Sequence, residues 1–171
     1  MTDPRAAPGR RTAAGAATRT GVPVATGTYG PAVPAAILDT GPLVALLDAD
    51  EEHLDWAVET FRTLPAPLVT CEAVLAEAMY LLRRSPDAQD KILDWIGRGT
   101  LTVAFDLAAD CAAVRRLMRK YRSFPMSLAD ACLVRMAETL HRHAICTLDR
   151  EFRGYRKDGG EAIDLVIPAA G

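Results

Sequence analysis

Apolar residues along this chain come in two rhythms. Short, largely apolar runs occur at Ala35 to Leu38, Leu68 to Thr70, Leu101 to Phe105, Ala144 to Leu148 and Ile163 to Ile167, and between them apolar residues return every third or fourth position. Short runs of this kind read as buried strands, and the longer period reads as helix. Gly41-Pro42 opens a helix through Leu43, Leu46 and Leu47, with Pro42 at the first position, where its missing N–H costs nothing. A second helix is expected over His53 to Leu64, burying Trp56, Ala57 and Phe61 and stopped by Pro65 and Pro67. Further helices are expected from Cys71 to Arg84 with Thr70 as cap, from Ser85-Pro86 to near Gly97, from Leu107 to Tyr121 and from Ser127 to His141. Strands alternating with helices predict an α/β fold, one continuous sandwich with a mostly parallel central sheet. Ligands of such sheets bind beyond the carboxyl ends of the strands, which is where Asp39 and Asp149 fall.

Composition divides the chain. Residues 1–34 are rich in Ala, Gly, Pro and Thr without apolar periodicity, so they read as a disordered leader, either a flexible tail or an over-extended translation start. Their prolines and glycines prevent the continuous apolar stretch of a secretory signal. The folded domain is expected over residues 35–168, with 169–171 as a short tail. The leader carries Arg5, Arg10, Arg11 and Arg19 against Asp3, which leaves 16 basic and 21 acidic residues, a formal charge of −5, for the remainder. A body of that sign excludes a general DNA-coating protein, so any nucleic-acid contact must be local or metal-mediated. No apolar run approaches the roughly 18 residues of a membrane span. Cys71, Cys111, Cys132 and Cys146 form no CxxC pair and read as reduced core residues of a cytosolic protein.

Four carboxylates stand beside apolar segments: Asp39 after the first strand, Glu77 within the third helix, Asp130 at the start of the last helix and Asp149 after the fourth strand. Carboxylates held near apolar surroundings are costly unless a cation or hydrogen bonds compensate them, and a divalent metal is a partner all four could share. Each also has a structural reading. Asp39 or Thr40 can cap the turn before Pro42, Ser127-Leu128-Ala129-Asp130 has the form of a capping box, and Asp149 can cap the segment behind it. Glu77, three residues from Val74 and four from Leu81, should project from the apolar side of its helix. Asp130 shares a face with Leu133 and Ala137, which points it inward. Asp48, Asp50, Glu51, Glu52 and Asp55 read instead as a solvated run, and the three histidines lack zinc-ligand spacing.

The segments Leu38-Asp39-Thr40-Gly41-Pro42-Leu43, Val74-Leu75-Ala76-Glu77, Leu128-Ala129-Asp130-Ala131 and Thr147-Leu148-Asp149-Arg150-Glu151-Phe152 together resemble the four acidic motifs of PIN-domain nucleases, most closely the VapC toxin branch. The resemblance covers about residues 35–168. It implies an α/β/α domain, dependence on Mg2+ or Mn2+, cleavage of RNA and pairing with a small VapB-like antitoxin, with a homodimer and a cytoplasmic location completing the expectation. It carries Asp39, Glu77, Asp130 and Asp149 over as catalytic acids. Asp39 and Asp130 would be the principal metal ligands, Asp149 would complete the site and Glu77 would orient water. Magnesium chemistry agrees, because that ion prefers oxygen ligands and keeps several waters.

The four carboxylates should therefore converge in one pocket. Phosphate contacts are expected from Arg150, Arg153, Arg156 and Lys157, whereas Arg115-Arg116 and Arg119-Lys120 with Arg122 read as a solvated helix face. The competing classes are an RNA-processing PIN nuclease without a toxin role and a PIN-like module that binds without cleaving. A haloacid-dehalogenase-like phosphatase would need a second Asp two positions after Asp39, where this chain has Gly41.

Overall fold

The computed structural model describes residues 35–169, so the expectation of a disordered leader over residues 1–34, like most of the short tail, lies outside the described residues. Five strands, β1 (Ala35–Leu38), β2 (Leu68–Thr70), β3 (Leu101–Val103), β4 (His143–Cys146) and β5 (Leu165–Val166), form one sheet in the order β3-β2-β1-β4-β5, with every neighbouring pair parallel. Parallel strands cannot be joined by tight hairpins, and the helices that make the crossovers cover both faces. The central strands accordingly carry nearly continuous apolar sequence. Helices α1 (Thr40–Leu47), α2 (Leu54–Thr63), α3 (Glu72–Leu81), α4 (Pro86–Gly97), α5 (Leu107–Lys120) and α6 (Leu128–Thr139) complete the predicted α/β/α sandwich.

The pleat of β1 sorts its side chains between two apolar layers. Ile37 packs with residues of α5 and α6, among them Val114, Leu117 and Leu133, whereas Ala36 and Leu38 face Leu43 of α1 and Ile92 of α4. All three strand residues are fully buried. Ile37 and Leu38 each contribute about 1.5–3 kcal/mol through removal from water, and Ala36 less. Helix α6 buries residues on nearly its whole circumference, and Arg135 joins it to α5 by donating from Nε to Asp110 at 2.8 Å.

Several boundaries move for identifiable reasons. Helix α1 begins at Thr40, so Pro42 is its third residue, still within the first turn whose N–H groups have no helical partner. Thr70 does not cap α3: its hydroxyl is buried in the sheet and donates to the Leu38 carbonyl at 2.9 Å, leaving Cys71 at the cap position. Strands β3, β4 and β5 are shorter than their apolar runs, because pairing lasts only as long as the neighbouring strand. Trp56 and Phe61 are half-buried, and only Ala57 of α2 is fully buried. Cys71, Cys132 and Cys146 are unpaired core thiols, but Cys111 is exposed on α5, a departure from the expected core role.

The strand order places a topological switch point between β1 and β4. From β1 the chain moves outward to β2 and β3 on one side, and β4 and β5 lie on the other. A crevice therefore forms outside the carboxyl ends of β1 and β4. The return from β4 passes through a 3-10 turn, Arg150–Arg153, held by Phe152 and Tyr155. The Tyr155 ring is fully buried and meets Tyr121, Phe124 and Phe152 edge to face at 5.0, 5.4 and 5.3 Å, and its hydroxyl donates to the Pro125 carbonyl at 2.8 Å.

Tyr155 thus fixes the segment behind Asp149. Tyr155→Phe should cost about 1 kcal/mol in urea unfolding, for one lost hydrogen bond. Tyr155→Ala should cost about 3–5 kcal/mol, for a lost ring and the cavity it leaves.

Candidate active site

Asp39 leaves the end of β1 with its N–H donating to the Cys146 carbonyl at 3.0 Å, which anchors it to β4. Its side chain caps α1. Oδ1 accepts from the Thr40 N–H at 2.7 Å and Oδ2 accepts from the Thr147 hydroxyl at 2.6 Å. The residue is only 7% exposed, and burial pushes its carboxyl up to about 6, against the pull of those two hydrogen bonds, with the charges of Asp130 and Asp149 adding to the rise.

Two threonines connect the acids. The fully buried Thr147 hydroxyl donates to Asp39 and accepts from the Asp149 N–H at 2.9 Å, so one oxygen joins residues that follow two different strands. Thr40 gives its N–H to Asp39 and its hydroxyl to Glu77 Oε2 at 3.0 Å. Sequence reasoning offered Thr40 only as a possible cap and gave Thr147 no role. The available signal was a hydroxyl at the end of an otherwise apolar strand, which must find a partner when buried.

Glu77 does not lie on the apolar side of α3, as its spacing from Leu81 suggested. The buried stripe runs through Val74, Ala78 and Leu82, Leu81 is 54% exposed, and Glu77 stands exposed at the edge of the stripe. Thr40 draws it toward Asp39. Asp130 is half-buried above the fully buried Leu133 and Ala137, so its inward placement agrees with the spacing. It is also a capping residue, because Oδ2 accepts from the Ser127 N–H at 2.8 Å and the Ser127 hydroxyl accepts from the Asp130 N–H at 3.0 Å. Burial raises its carboxyl pKa, the Ser127 hydrogen bonds pull it down, the Asp149 charge raises it further, and the nearby Tyr155 hydroxyl lowers it slightly. Asp149 caps the following turn by accepting from the Glu151 N–H at 2.8 Å. Cap and site are therefore not alternatives here. Each cap uses one carboxylate oxygen and leaves the other for further bonding.

The structure thus places Asp39, Asp130 and Asp149 within one electrostatic neighbourhood, and Glu77 joins it through Thr40. Exposure is graded across the four, from exposed Glu77 through half-buried Asp130 and Asp149 to buried Asp39. A cavity of about 500 Å3 beside Glu72, Phe105 and Cys132 includes none of the four acids. Among the described residues no Lys, Arg or His forms an ion pair with any of them. Nor do three acidic, histidine or cysteine side chains there converge closely enough to hold one ion directly.

The donor set nevertheless suits magnesium, which commonly takes one or two carboxylates and fills the remaining positions with water and substrate oxygen. Of the cations expected behind Asp149, Arg150 and Arg153 are exposed. Arg156 and Lys157 are not available in the way expected. Arg156 folds back to donate to the Arg153 and Tyr155 carbonyls, and Lys157 is buried with Glu161 and Asp164 each 3.8 Å from its ammonium.

A parallel sheet with acids gathered at its switch point defines a class that the family comparison makes specific. The PIN domain model matches residues 36–158, and the chain belongs to that family. It is also 32% identical over 133 residues to ribonuclease VapC26 of Mycobacterium tuberculosis (strain ATCC 25618 / H37Rv), a match covering 76% of this chain and 98% of that protein. No helix among the described residues is long and apolar enough to cross a membrane.

The raised carboxyl of Asp39 gives a signed pH dependence. Between its ordinary value of 3.8 and about 6, the folded chain holds a proton that the unfolded chain has released, so metal-free stability should fall as pH rises through that window. The fall should be roughly 2–3 kcal/mol in chelator, read from urea midpoints, with Asp130 acting in the same direction. Asp39→Asn should remove most of it.

Proposed function

We propose that this protein is a metal-dependent endoribonuclease that hydrolyses RNA phosphodiester bonds and serves as the toxin of a VapBC-type pair. The observation that carries the proposal is the set of threonine-linked carboxylates without a basic partner, in a PIN domain with a ribonuclease relative. Carboxylates raised by burial and by one another favour an added cation, since opposite charge stabilises their ionised form.

Asp39 and Asp130 would be the principal ligands of Mg2+ or Mn2+, with Asp149 completing the site through metal-bound water. Such an ion supplies charge stabilisation at the phosphodiester and lowers the pKa of attacking water. The chain itself fixes the geometry. Thr147 holds Asp39 and the Asp149 backbone together, so the two acids cannot drift apart without breaking a buried hydroxyl's bonds. Glu77 accepts from Thr40 through Oε2, and its Oε1 can orient water toward the phosphorus. Arg150, exposed beside Asp149, can pair with a flanking phosphate.

As a toxin the protein would pair with a small VapB-like antitoxin in the cytoplasm and form a homodimer. A PIN-like module that only binds would have no need of several carboxylates held against their mutual repulsion. An RNA-processing role would share the chemistry and differ in the absence of an antitoxin partner.

Purified protein should cleave a mixed RNA panel only with Mg2+ or Mn2+, lose activity on chelation and regain it on metal addition. Asp39→Ala should reduce the rate by at least about 100-fold, the scale on which loss of a principal electrostatic group is felt. Cleavage that survives exhaustive chelation, or an active Asp39→Ala variant, would reject the mechanism.

Asp130→Asn separates folding from catalysis. The amide keeps the volume and can still accept from the Ser127 N–H, while one repelling charge disappears. In chelator its melting temperature should equal or slightly exceed wild type, and RNA cleavage should be lost. Mg2+ at about 100 times its Kd should stabilise wild type by about 2.7 kcal/mol and the variant by less.

A further inference from the structure

Along α5 the structure divides the basic cluster that reads in sequence as one solvated face. Arg115 and Arg119, four residues apart, share one side with Arg122 of the turn that follows the helix, whereas Arg116 and Lys120 line a separate cavity with Glu138 and Asp158. The first three rim a groove of about 400 Å3 whose apolar floor includes Leu107, Met118 and Leu128. Those floor residues are 40%, 38% and 42% exposed, more water contact than large apolar side chains keep inside a sandwich. No carboxylate lines the groove, and none of its arginines forms an ion pair among the described residues, unlike Arg62, Arg98 and Arg135.

We propose that this groove binds the single-stranded RNA flanking the cleaved bond, with guanidinium groups on phosphates and bases lying against the apolar floor. The inference rests on the ribonuclease reading above. Single-stranded nucleic acid is held by cationic rims and flat contact surfaces, and Arg matches phosphate geometry in two-point contacts. Position selects RNA over an acidic protein segment. Leu128 lies two residues before Asp130 in the first turn of α6, about 3 Å along the axis but roughly 200° around it, so the groove and the acid lie on different sides of one helix end. A strand cut beside Asp130 would reach this cationic groove by passing round the N-terminal end of α6, with Arg150 beside Asp149.

The test uses the full chain carrying Asp39→Asn, which allows binding without turnover, and a fluorescein-labelled single-stranded RNA of mixed sequence followed by anisotropy across a salt series. Adding R119Q and R122Q together should weaken binding about tenfold. The log–log salt slope should become shallower by about 1.4, or about 0.7 for each lost phosphate contact on a single strand. In the otherwise wild-type chain the same pair should raise KM comparably while kcat stays within about twofold. Arg116→Gln, on the other side of the same helix, should change neither affinity nor slope.

Unchanged RNA affinity in the R119Q/R122Q protein would overturn the proposal, and so would an equal loss in Arg116→Gln, which would reduce the effect to net charge. If Met118→Glu dissociates a dimer in sedimentation while RNA affinity holds, the groove is an interface between copies and the proposal fails. A wild-type protein that does not cleave RNA with either metal would defeat the ribonuclease reading separately, since the anisotropy comparison needs no turnover.

Discussion

A carboxylate buried at the end of the central strand is the constraint around which the rest of this molecule is arranged. Asp39 cannot move into solvent without abandoning its backbone bond to Cys146 and its cap on α1. It cannot sink into the core either, because an ionised carboxylate there is too costly. Its two accepted hydrogen bonds offset part of the desolvation, yet its carboxyl still rises to about 6. The fold keeps an acid that is unfavourable for metal-free stability at neutral pH, in the one place where the sheet topology opens a crevice. A binding site that tolerates such a cost is expected to recover it from a ligand of opposite charge.

Threonine hydroxyls, and not direct contacts between acids, carry the geometry. Thr147 and Thr40 each touch two members of the set, so β1, β4, α1 and α3 are coupled through two small side chains. A hydroxyl suits this work because it donates and accepts at once, whereas two carboxylates brought together would only repel. The same economy appears in the caps. Asp130 and Asp149 each use one oxygen to order the start of a helical turn, which fixes where the other oxygen points.

The elements and fold class were legible because the central strands β1, β2 and β4 are buried on both faces and so read as nearly unbroken apolar runs. The four acids were legible because each interrupts or ends such a run. What local spacing does not contain is the tertiary neighbour. Glu77 was assigned the wrong side of α3 because Leu81 was counted as core, and only the packing of α3 shows that Leu82 takes that place. Thr70 has the composition of a helix cap, but a sheet neighbour offered its hydroxyl the Leu38 carbonyl. Arg156 and Lys157 look in sequence like continuations of Arg150 and Arg153, yet the turn closed by Tyr155 directs them back onto the protein.

Charge distribution completes the argument. Residues 35–171 carry a formal −5, and the carboxylates concentrate part of that negative charge where an anionic substrate would have to arrive. Overall attraction therefore cannot deliver RNA to this site. Delivery then depends on local cations that form no ion pair among the described residues: Arg150 and Arg153 after Asp149 and, on the proposal above, Arg115, Arg119 and Arg122. At physiological ionic strength screening acts over about 8 Å, so unpaired guanidiniums close to the scissile position outweigh acids on distant helices such as the run near α2. On this arrangement, affinity should come from the flanks and chemistry from the centre. The two can then change independently, because the central carboxylates are fixed by the sheet and the flanking arginines stand on surface positions that the core does not constrain.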